Sequence, residues 1–480
     1  MFRLILGQLN WGVIGSIFGF TIGFFLKIYL IDIVGLTNWG KYVTAQTFSS
    51  ISETFLSIGI PYIIIKFMPS FIDKDIDKAK RVANIFLKYS FVVGFFYLGI
   101  IYIFSSYINK FIYNDIDNLS FILFIMCCHV PISMLFGVIV SLYRSVLKIK
   151  EIVIYGTFIS VTIRALLTLV VFQYTSDISY FILIEVFAQV LVLSILLYLF
   201  SNREFSIFVT SNIKEVINDN RIIDYGKNMF YNSVIAFVSS QALSFIISIR
   251  LPMDNVGAYN ILLSLTGLTT FLLINLNKVF APAISKLYHQ GNIIELNELY
   301  KQTTFVINLF TIPLVLIITV FSDEILSLYT YQMSQYKNYL FLMLLGGMCS
   351  LCAGSSGTLM LMTGLEKKNL NIQIAKAITI IILALFLIPI FGMKIVVILY
   401  VVFMLLVNAL QVLFLFRDVN IHPFSKELLL LFIFTSLAML FAINQDYLFS
   451  SAHYFTIPIC IYLLYFVIMF PYIKKILKKI

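Results

Sequence analysis

Charged side chains stand inside several long apolar runs of this chain, where a membrane would surround them. Lys27 lies within "GFTIGFFLKIYLIDIVG", and Glu53 is near the middle of the next apolar run. Arg250 ends a later run, while Arg164 and Glu185 occupy comparable depths in two neighbouring runs. A charge at the centre of a bilayer costs about 3 kcal/mol. These five residues are therefore expected to face a bundle interior, a water-filled cavity or one another.

Each of these charges also has a simpler structural interpretation. Lys27 is about 10 Å from the end of its helix, at 1.5 Å per residue, so its ammonium can snorkel to the interface. Arg250 has the same option, but Glu53 is too central for it. We expect Glu53 to face a cavity, either pairing with Lys27 or Arg250 or carrying a coupling proton. Arg164 and Glu185 are predicted to form a buried structural ion pair, with a substrate role as the alternative.

Polar side chains recur at helical spacing in the first, second, seventh and eighth apolar runs. At 100° per residue, the polar groups of each run fall on one face of its helix. Such faces are expected to contact a polar substrate rather than lipid. Lys278, near the end of its run, also fits the ordinary excess of positive charge on the cytoplasmic side. The predicted substrate-binding residues are Lys27, Gln46, Glu53, Asn232, Arg250, Asn260, Asn275 and Lys278.

Composition places the chain in the membrane. Its 480 residues are 61% hydrophobic, with a mean hydropathy of +0.99, which is more apolar surface than a soluble core can bury. Apolar runs of roughly 18 to 25 residues predict about fourteen spans in an all-α integral membrane protein. The first run, Trp11 to Val34, has no cleavage site after it and is expected to remain as a span. The weakest predicted span is the thirteenth, Leu428 to Ile443.

The distribution of basic residues predicts the orientation of the chain. Of 33 Lys and Arg residues, about 24 fall on the N-terminal side of the membrane and about five on the other. Both termini are therefore expected in the cytoplasm. The richness in Ile, Phe, Tyr, Lys and Asn suggests an AT-rich bacterial source, so the protein is expected in a bacterial cytoplasmic (inner) membrane. The net charge of +10 follows from this topology and from attraction to anionic lipid, so no nucleic-acid partner is expected.

Several other classes of function find little support in the sequence. The five cysteines all lie in apolar runs, so no disulfide framework is expected, and the C-x-x-C of Cys349 and Cys352 favours helix packing over a metal. His129 has no second ligand nearby, so no metal site is predicted. A membrane glycosyltransferase or polysaccharide polymerase remains the alternative from another class. We expect no enzyme, because such a protein would carry a sizeable non-membrane loop or a cluster of surface carboxylates, and the acidic outer segments here are short. The sequence has no phosphate-binding G-x-x-x-x-G-K-[ST] motif, which disfavours ATP-driven transport by this chain alone.

The chain also contains an internal repeat. "NWGKY" (Asn38 to Tyr42) aligns with "NVGAY" (Asn255 to Tyr259), and a shift of about 215 residues pairs several loops on either side. Six spans therefore recur as six spans, which is the architecture expected of a transporter that alternates access to a central site. The predicted domains are a first bundle at 1–200, a cytoplasmic linker at 201–225, a second bundle at 226–416, and a helix pair with a basic tail at 417–480.

These features resemble one superfamily of exporters. The chain has two six-helix halves plus a terminal pair, paired Gly-x-Tyr turns at Gly40/Tyr42 and Gly257/Tyr259, and basic second and fourth loops in each half. It is similar, over essentially its whole length, to the multidrug/oligosaccharidyl-lipid/polysaccharide exporters. Within that superfamily it most resembles the polysaccharide repeat-unit flippases of O-antigen and capsule assembly.

The resemblance implies a V-shaped central cavity between two bundles, lined mainly by spans 1, 2, 7 and 8. It implies a polyprenyl-pyrophosphate-linked oligosaccharide as substrate, membrane lipid, polysaccharide polymerase and chain-length machinery as partners, and no cofactor beyond a proton or sodium gradient. The alternatives within the same fold are a flippase for the peptidoglycan lipid precursor and a cation-coupled multidrug exporter. The four spans named by the resemblance are the four that carry polar stripes.

Overall fold

The computed structural model of the chain describes residues 2–210 and 219–443, and their regular structure is helical throughout. Eleven helical segments within these ranges are long and apolar enough to cross a membrane. The predicted all-α, multi-pass fold is thus confirmed. The count of fourteen spans stays a prediction, because the last of them, Phe455 to Phe470, lies outside the described residues.

Two compact units divide after Gly257. The first unit, Met1–Gly257, contains nine helices and one π-helical segment in its described part. They are α1 (Phe2–Leu56), α2 (Ile60–Lys74), α3 (Ile76–Ile112), α4 (Leu119–Cys127), α5 (His129–Ser145), α6 (Ile149–Glu151), the π-helix Ile152–Ile159, α7 (Ser160–Val171), α8 (Ile178–Arg203) and α9 (Asn220–Arg250). The domain boundaries at 200 and 226 were predicted from the sequence repeat, and they stay a prediction.

The next helix begins in the first unit and continues into the second, Ala258–Ile480. The helices from there on are α10 (Met253–His289), α11 (Ile293–Val320), α12 (Ser322–Ser327), the 3₁₀-helix Tyr331–Tyr336, α13 (Lys337–Ala353), α14 (Ser356–Met362), α15 (Glu366–Phe391), α16 (Met393–Val419) and α17 (Lys426–Ile443). The predicted thirteenth span, Leu428 to Ile443, falls within α17.

Each unit has its own tightly packed interior. In the first unit, Ile64 of α2, Ala83 of α3 and Ile139 of α5 are buried in one apolar cluster. In the second, Leu296 of α11 and Leu415 of α16 are completely buried in another. Lipid tails are as apolar as these side chains, so close van der Waals packing, rather than escape from water, holds such helices together.

Two backbone breaks interrupt the helices at the start of the first unit. Gly35, with φ of 80°, divides α1 into the first and second predicted spans. Ile58 and Gly59, with φ of 45° and 71°, interrupt the predicted second span, Thr44 to Ile65, between α1 and α2. Glycine adopts such left-handed conformations without steric cost. The Leu56 carbonyl freed by this break accepts a hydrogen bond of 3.0 Å from the Tyr89 hydroxyl.

The paired Gly-x-Tyr motifs lie in helices, so the prediction that they form turns was wrong. Gly40 is inside α1 and Gly257 is inside α10, and their missing side chains allow two helices to cross. A Cβ on Gly40 would collide with the Met253 carbonyl oxygen, and one on Gly257 would lie 2.6 Å from the Leu36 carbonyl oxygen. Glycine is needed here for close approach rather than for its φ angle.

The contacts at this crossing are reciprocal. Gly40 meets Met253, whereas Gly257 meets Leu36, and both glycines and both partners are 217 positions apart (257 − 40 and 253 − 36). The Thr37 hydroxyl also donates a hydrogen bond to the Asp254 carboxylate across the same separation. The contacts at this crossing are therefore made in pairs between positions that share the offset of the sequence repeat.

Candidate functional site

Lys27 lies beside a tryptophan that the Gly35 break brings back toward it. Its side chain is half-buried, and its Nζ atom is 5.4 Å from the centroid of the Trp39 ring. An aromatic face stabilises an ammonium group through its quadrupole without neutralising the charge. The Lys27 amine thus lies against an aromatic surface at membrane depth.

A continuous chain of contacts extends from this tryptophan to the next helices. The rings of Trp39 and Tyr42 stack with centroids 4.7 Å apart. The Tyr42 hydroxyl donates a 2.9 Å hydrogen bond to Glu185 Oε2, and Gln46 Nε2 donates one of 3.2 Å to the Tyr42 oxygen. Arg164 Nη1 donates a 2.8 Å hydrogen bond to Glu185 Oε1, which makes the two residues a salt bridge between α7 and α8.

Residues that the sequence assigned to different roles are thus joined in one network. Lys27 and Gln46 were predicted to bind substrate, and Arg164 and Glu185 to form a structural ion pair. Trp39 and Tyr42 connect the two sets, and neither was among the predicted site residues. Their signal was present in "NWGKY", which holds one of only two tryptophans in the chain, and in their i, i+3 spacing on one helix face.

Glu53 occupies a separate position near the second helix break. Its side chain is half-buried and lies near Ser133 of α5. It lies 14 residues along α1 from Trp39, or about 21 Å at 1.5 Å per residue. Lys27 contacts Trp39. Arg250 is three residues before Met253, which contacts Gly40, so Arg250 also lies near this end of the helix rather than near Glu53. The predicted pairing of Glu53 with either cation is therefore not formed in this structure.

The other predicted residues are distributed over α9 and α10. Asn232 and Arg250 are exposed on α9, in the first unit. In the second unit, Asn260 is half-buried, and Asn275 is 7% exposed and donates a 2.9 Å hydrogen bond to a carbonyl of its own helix. The side chain of Lys278 lies outside the described residues.

Within residues 2–210 and 219–443, no group of three or more His, Cys, Asp or Glu side chains has the arrangement of a metal site. Cys349 and Cys352, which form the C-x-x-C motif, carry free thiols on α13. The described network instead joins the Lys27 amine, the Gln46 amide and the Arg164–Glu185 salt bridge through Trp39 and Tyr42. A protonated amine and an amide can bind anionic and hydroxyl-rich ligands.

A family model for a polysaccharide biosynthesis protein matches residues 33–337, nearly two thirds of the chain. The chain belongs to this polysaccharide biosynthesis family. The matched segment includes Trp39, Tyr42 and the Arg164–Glu185 salt bridge, but it begins after Lys27. None of the curated proteins matches the chain in sequence.

Solved structures share the fold of this family member at low sequence identity. The lipid II flippase MurJ, in an inward closed conformation, superposes with a TM-score of 0.70 at 14% identity, over 96% of this chain and 99% of that one. An inward-facing multidrug resistance MATE family transporter of the MOP superfamily gives 0.64 at 12% identity, over 82% and 98%. A MOP superfamily transporter from Pyrococcus furiosus gives 0.60 at 13%, over 86% and 95%.

The family match places the chain in polysaccharide biosynthesis, and its apolar helices and shared fold indicate a multi-pass membrane protein. At 12% to 14% identity, these structures show a shared fold and nothing about what this chain binds. Its substrate has to be inferred from its own residues.

Proposed function

We propose that the chain is a flippase that moves polyprenyl-pyrophosphate-linked oligosaccharide repeat units from the cytoplasmic to the outer leaflet of a bacterial inner membrane. The repeat units would serve O-antigen or capsule assembly. The observation that carries this proposal is a lysine at membrane depth that joins an aromatic and amide network within a chain of a polysaccharide biosynthesis family. A drug exporter for cations would need anionic groups in their place.

Different groups of the protein would bind the pyrophosphate and the glycan of such a substrate. Lys27 and Arg250 attract the pyrophosphate, because charge-assisted hydrogen bonds are about twice as strong as neutral ones. The amides of Gln46, Asn232 and Asn260 hydrogen-bond the hydroxyl groups of the glycan. Trp39 and Tyr42 are buried and position Lys27 and Gln46 through the cation–π contact and the hydrogen bond to the Tyr42 oxygen. The polyprenyl tail stays in lipid throughout, so only the polar head needs a path across the hydrocarbon.

The transport cycle then follows from the repeat. Alternating access by two six-helix halves would expose the head group first to the cytoplasm and then to the outer side. Glu53, close to the helix break at Ile58 and Gly59, is the carboxylate proposed to carry a coupling proton. If Glu53 carries it, transport by the Glu53→Gln variant no longer depends on the proton gradient.

Mass spectrometry of lipid extracts from host cells with and without the gene tests the function directly. Loss of the gene is expected to cause accumulation of a complete lipid-linked repeat unit together with loss of surface polymer. Re-expression of the intact chain should reverse both effects. Unchanged lipid-linked sugars combined with increased sensitivity to cationic drugs would refute the flippase proposal and favour drug export.

A further inference from the structure

A small charged cavity lies at the end of α2, on the side of the membrane that the basic loops predict to be cytoplasmic. Its volume is about 240 Å³, below the range of about 300 to 1,000 Å³ that drug-sized ligands occupy. It has room for one head group rather than for an oligosaccharide. The cavity is lined by Phe67, Ser70, Phe71, Lys74, Asp75, Lys78 and Arg221.

Neighbouring side chains fix two of the three cations in position. Lys78 Nζ lies 4.6 Å from the centroid of the Phe71 ring and 3.6 Å from Asp219 Oδ2. Arg221 binds both carboxylate oxygens of Asp219, each at 3.1 Å. Asp219 therefore connects the first turn of α3 to the first turn of α9. The two cations are held at adjacent points of the cavity wall without the entropy cost of ordering them on binding.

The third cation and the aromatic walls complete the site. Lys74 is exposed, and within the described part of the chain its ammonium makes no hydrogen bond or ion pair. The Asp75 carboxylate accepts a 2.9 Å hydrogen bond from the backbone of Lys78 as the cap of α3. The rings of Phe67 and Phe71 stack with centroids 6.3 Å apart and form an apolar wall. A ligand that carries an anionic group on an apolar chain can bind the cations with the first and contact the phenylalanine wall with the second.

We propose that the phosphate of an anionic phospholipid head group binds in this cavity, between Lys74, Lys78 and Arg221. The phenylalanine wall favours a lipid over free phosphate, because only a lipid has acyl and glycerol carbons to place against it. A polybasic site of this kind gains about 1 kcal/mol per Lys or Arg from an anionic lipid surface. This binding is separate from the flippase proposal, since a phospholipid is not the cargo.

Native mass spectrometry of the purified full chain tests the site. Binding of phosphatidylglycerol is compared with binding of phosphatidylcholine, and inorganic phosphate is titrated as a competitor in a separate arm. Lys74→Gln removes a cation that makes no contact to lose, so the fold should be unaffected. It is expected to weaken phosphatidylglycerol binding about fivefold, and adding Arg221→Gln about fivefold again.

Lys80→Gln is the matched control. Lys80 lies on the same first turns of α3, pairs with Asp77 at 2.8 Å, and does not line the cavity. Selective loss in Lys74→Gln, with wild-type binding in Lys80→Gln, supports the site. Equal weakening in both variants means general attraction by surface charge and overturns the proposal. Binding of inorganic phosphate without a preference for phosphatidylglycerol over phosphatidylcholine overturns the lipid as its ligand.

Discussion

Lys27 is the residue on which the proposed recognition of pyrophosphate depends most directly. Lys27→Ala should reduce transport ten- to a hundredfold, because a hydrogen bond to a charged group contributes about 1.5 to 3 kcal/mol. Lys27→Arg should be much milder, since a guanidinium keeps the charge and also stacks on Trp39. The measurement is the ratio of lipid-linked repeat unit to surface polymer at matched expression. Normal polymer in the Lys27→Ala strain would remove Lys27 from the binding site.

Asp219, outside the membrane, should make stability depend on pH. The hydrogen bonds from Arg221, with a smaller effect of Lys78, hold the pKa of Asp219 below its ordinary 3.8. A carboxyl whose folded pKa is lowered stabilises the fold above its unfolded pKa, and this contribution disappears as the pH falls through the folded value. Asp219→Asn should therefore lower the melting temperature at pH 7, with a difference from wild type that shrinks below pH 3.8.

The control for this prediction is Asp77→Asn. The pKa of Asp77 is also lowered, by its hydrogen bond to Lys80, but its side chain is largely exposed and solvent screens the pair. Asp77→Asn should therefore change the melting temperature less than Asp219→Asn at every pH. Melting curves of the purified protein between pH 3 and 7 measure both. An Asp219→Asn curve parallel to wild type across that range would contradict the linkage.

At the residue scale, the sequence could predict which polar side chains belong to the interior but not how they connect. Lys27, Gln46, Arg164 and Glu185 stood out because charges and amides are costly in lipid. Trp39 and Tyr42, which join them, are amphipathic and equally at home at a membrane interface. Their contacts depend on the Gly35 break, where the direction of the chain is set by one backbone angle that composition does not reveal.

At the scale of helices, Gly40 provides a test of the crossing between α1 and α10. A Cβ at Gly40 would collide with the Met253 carbonyl, whereas one at Gly23 on the same helix would meet no atom within 4 Å. Gly40→Ala should therefore cost about 1 to 3 kcal/mol as overpacking forces the helices apart. Gly23→Ala should be neutral or slightly stabilising, because alanine favours the helix. Thermal unfolding in detergent compares them; equal melting temperatures would show that the crossing yields without cost.

Hydropathy predicted the helices well and their interruptions poorly. The apolar content of Thr44 to Ile65 gives no sign of a break, since Ile58 and Gly59 are themselves apolar. The break is set instead by tertiary contact: a Cβ on Gly59 would lie only 3.1 Å from the Gly226 carbonyl oxygen of α9. Such an approach between distant segments has no periodic signature in either of them.

At the scale of the whole molecule, the internal repeat predicts a role in the transport cycle for the hydrogen bond between Thr37 and Asp254. These residues are equivalent positions of the two repeats, 217 apart, and lie on the side predicted to face outward. In an alternating-access cycle, the substrate can reach the outer side only if the outer ends of the two repeats separate once per cycle. The hydrogen bond between them would then be one of the contacts that opens. A disulfide that joins positions 37 and 254 should therefore block transport, and the block can be measured.

Thr37→Cys with Asp254→Cys, in a chain whose five native cysteines are replaced, should form a disulfide under oxidation and stop transport of the lipid-linked repeat unit. Reduction should restore transport, because the link rather than the substitutions causes the block. Lys148→Cys with Glu204→Cys is the matched pair, since this salt bridge joins the residue just before α6 to the residue just after α8. Both residues precede the second bundle in the sequence and should move together. Oxidation should leave its transport unchanged. Continued transport through a fully cross-linked 37–254 pair would show that these outer ends stay together throughout the cycle.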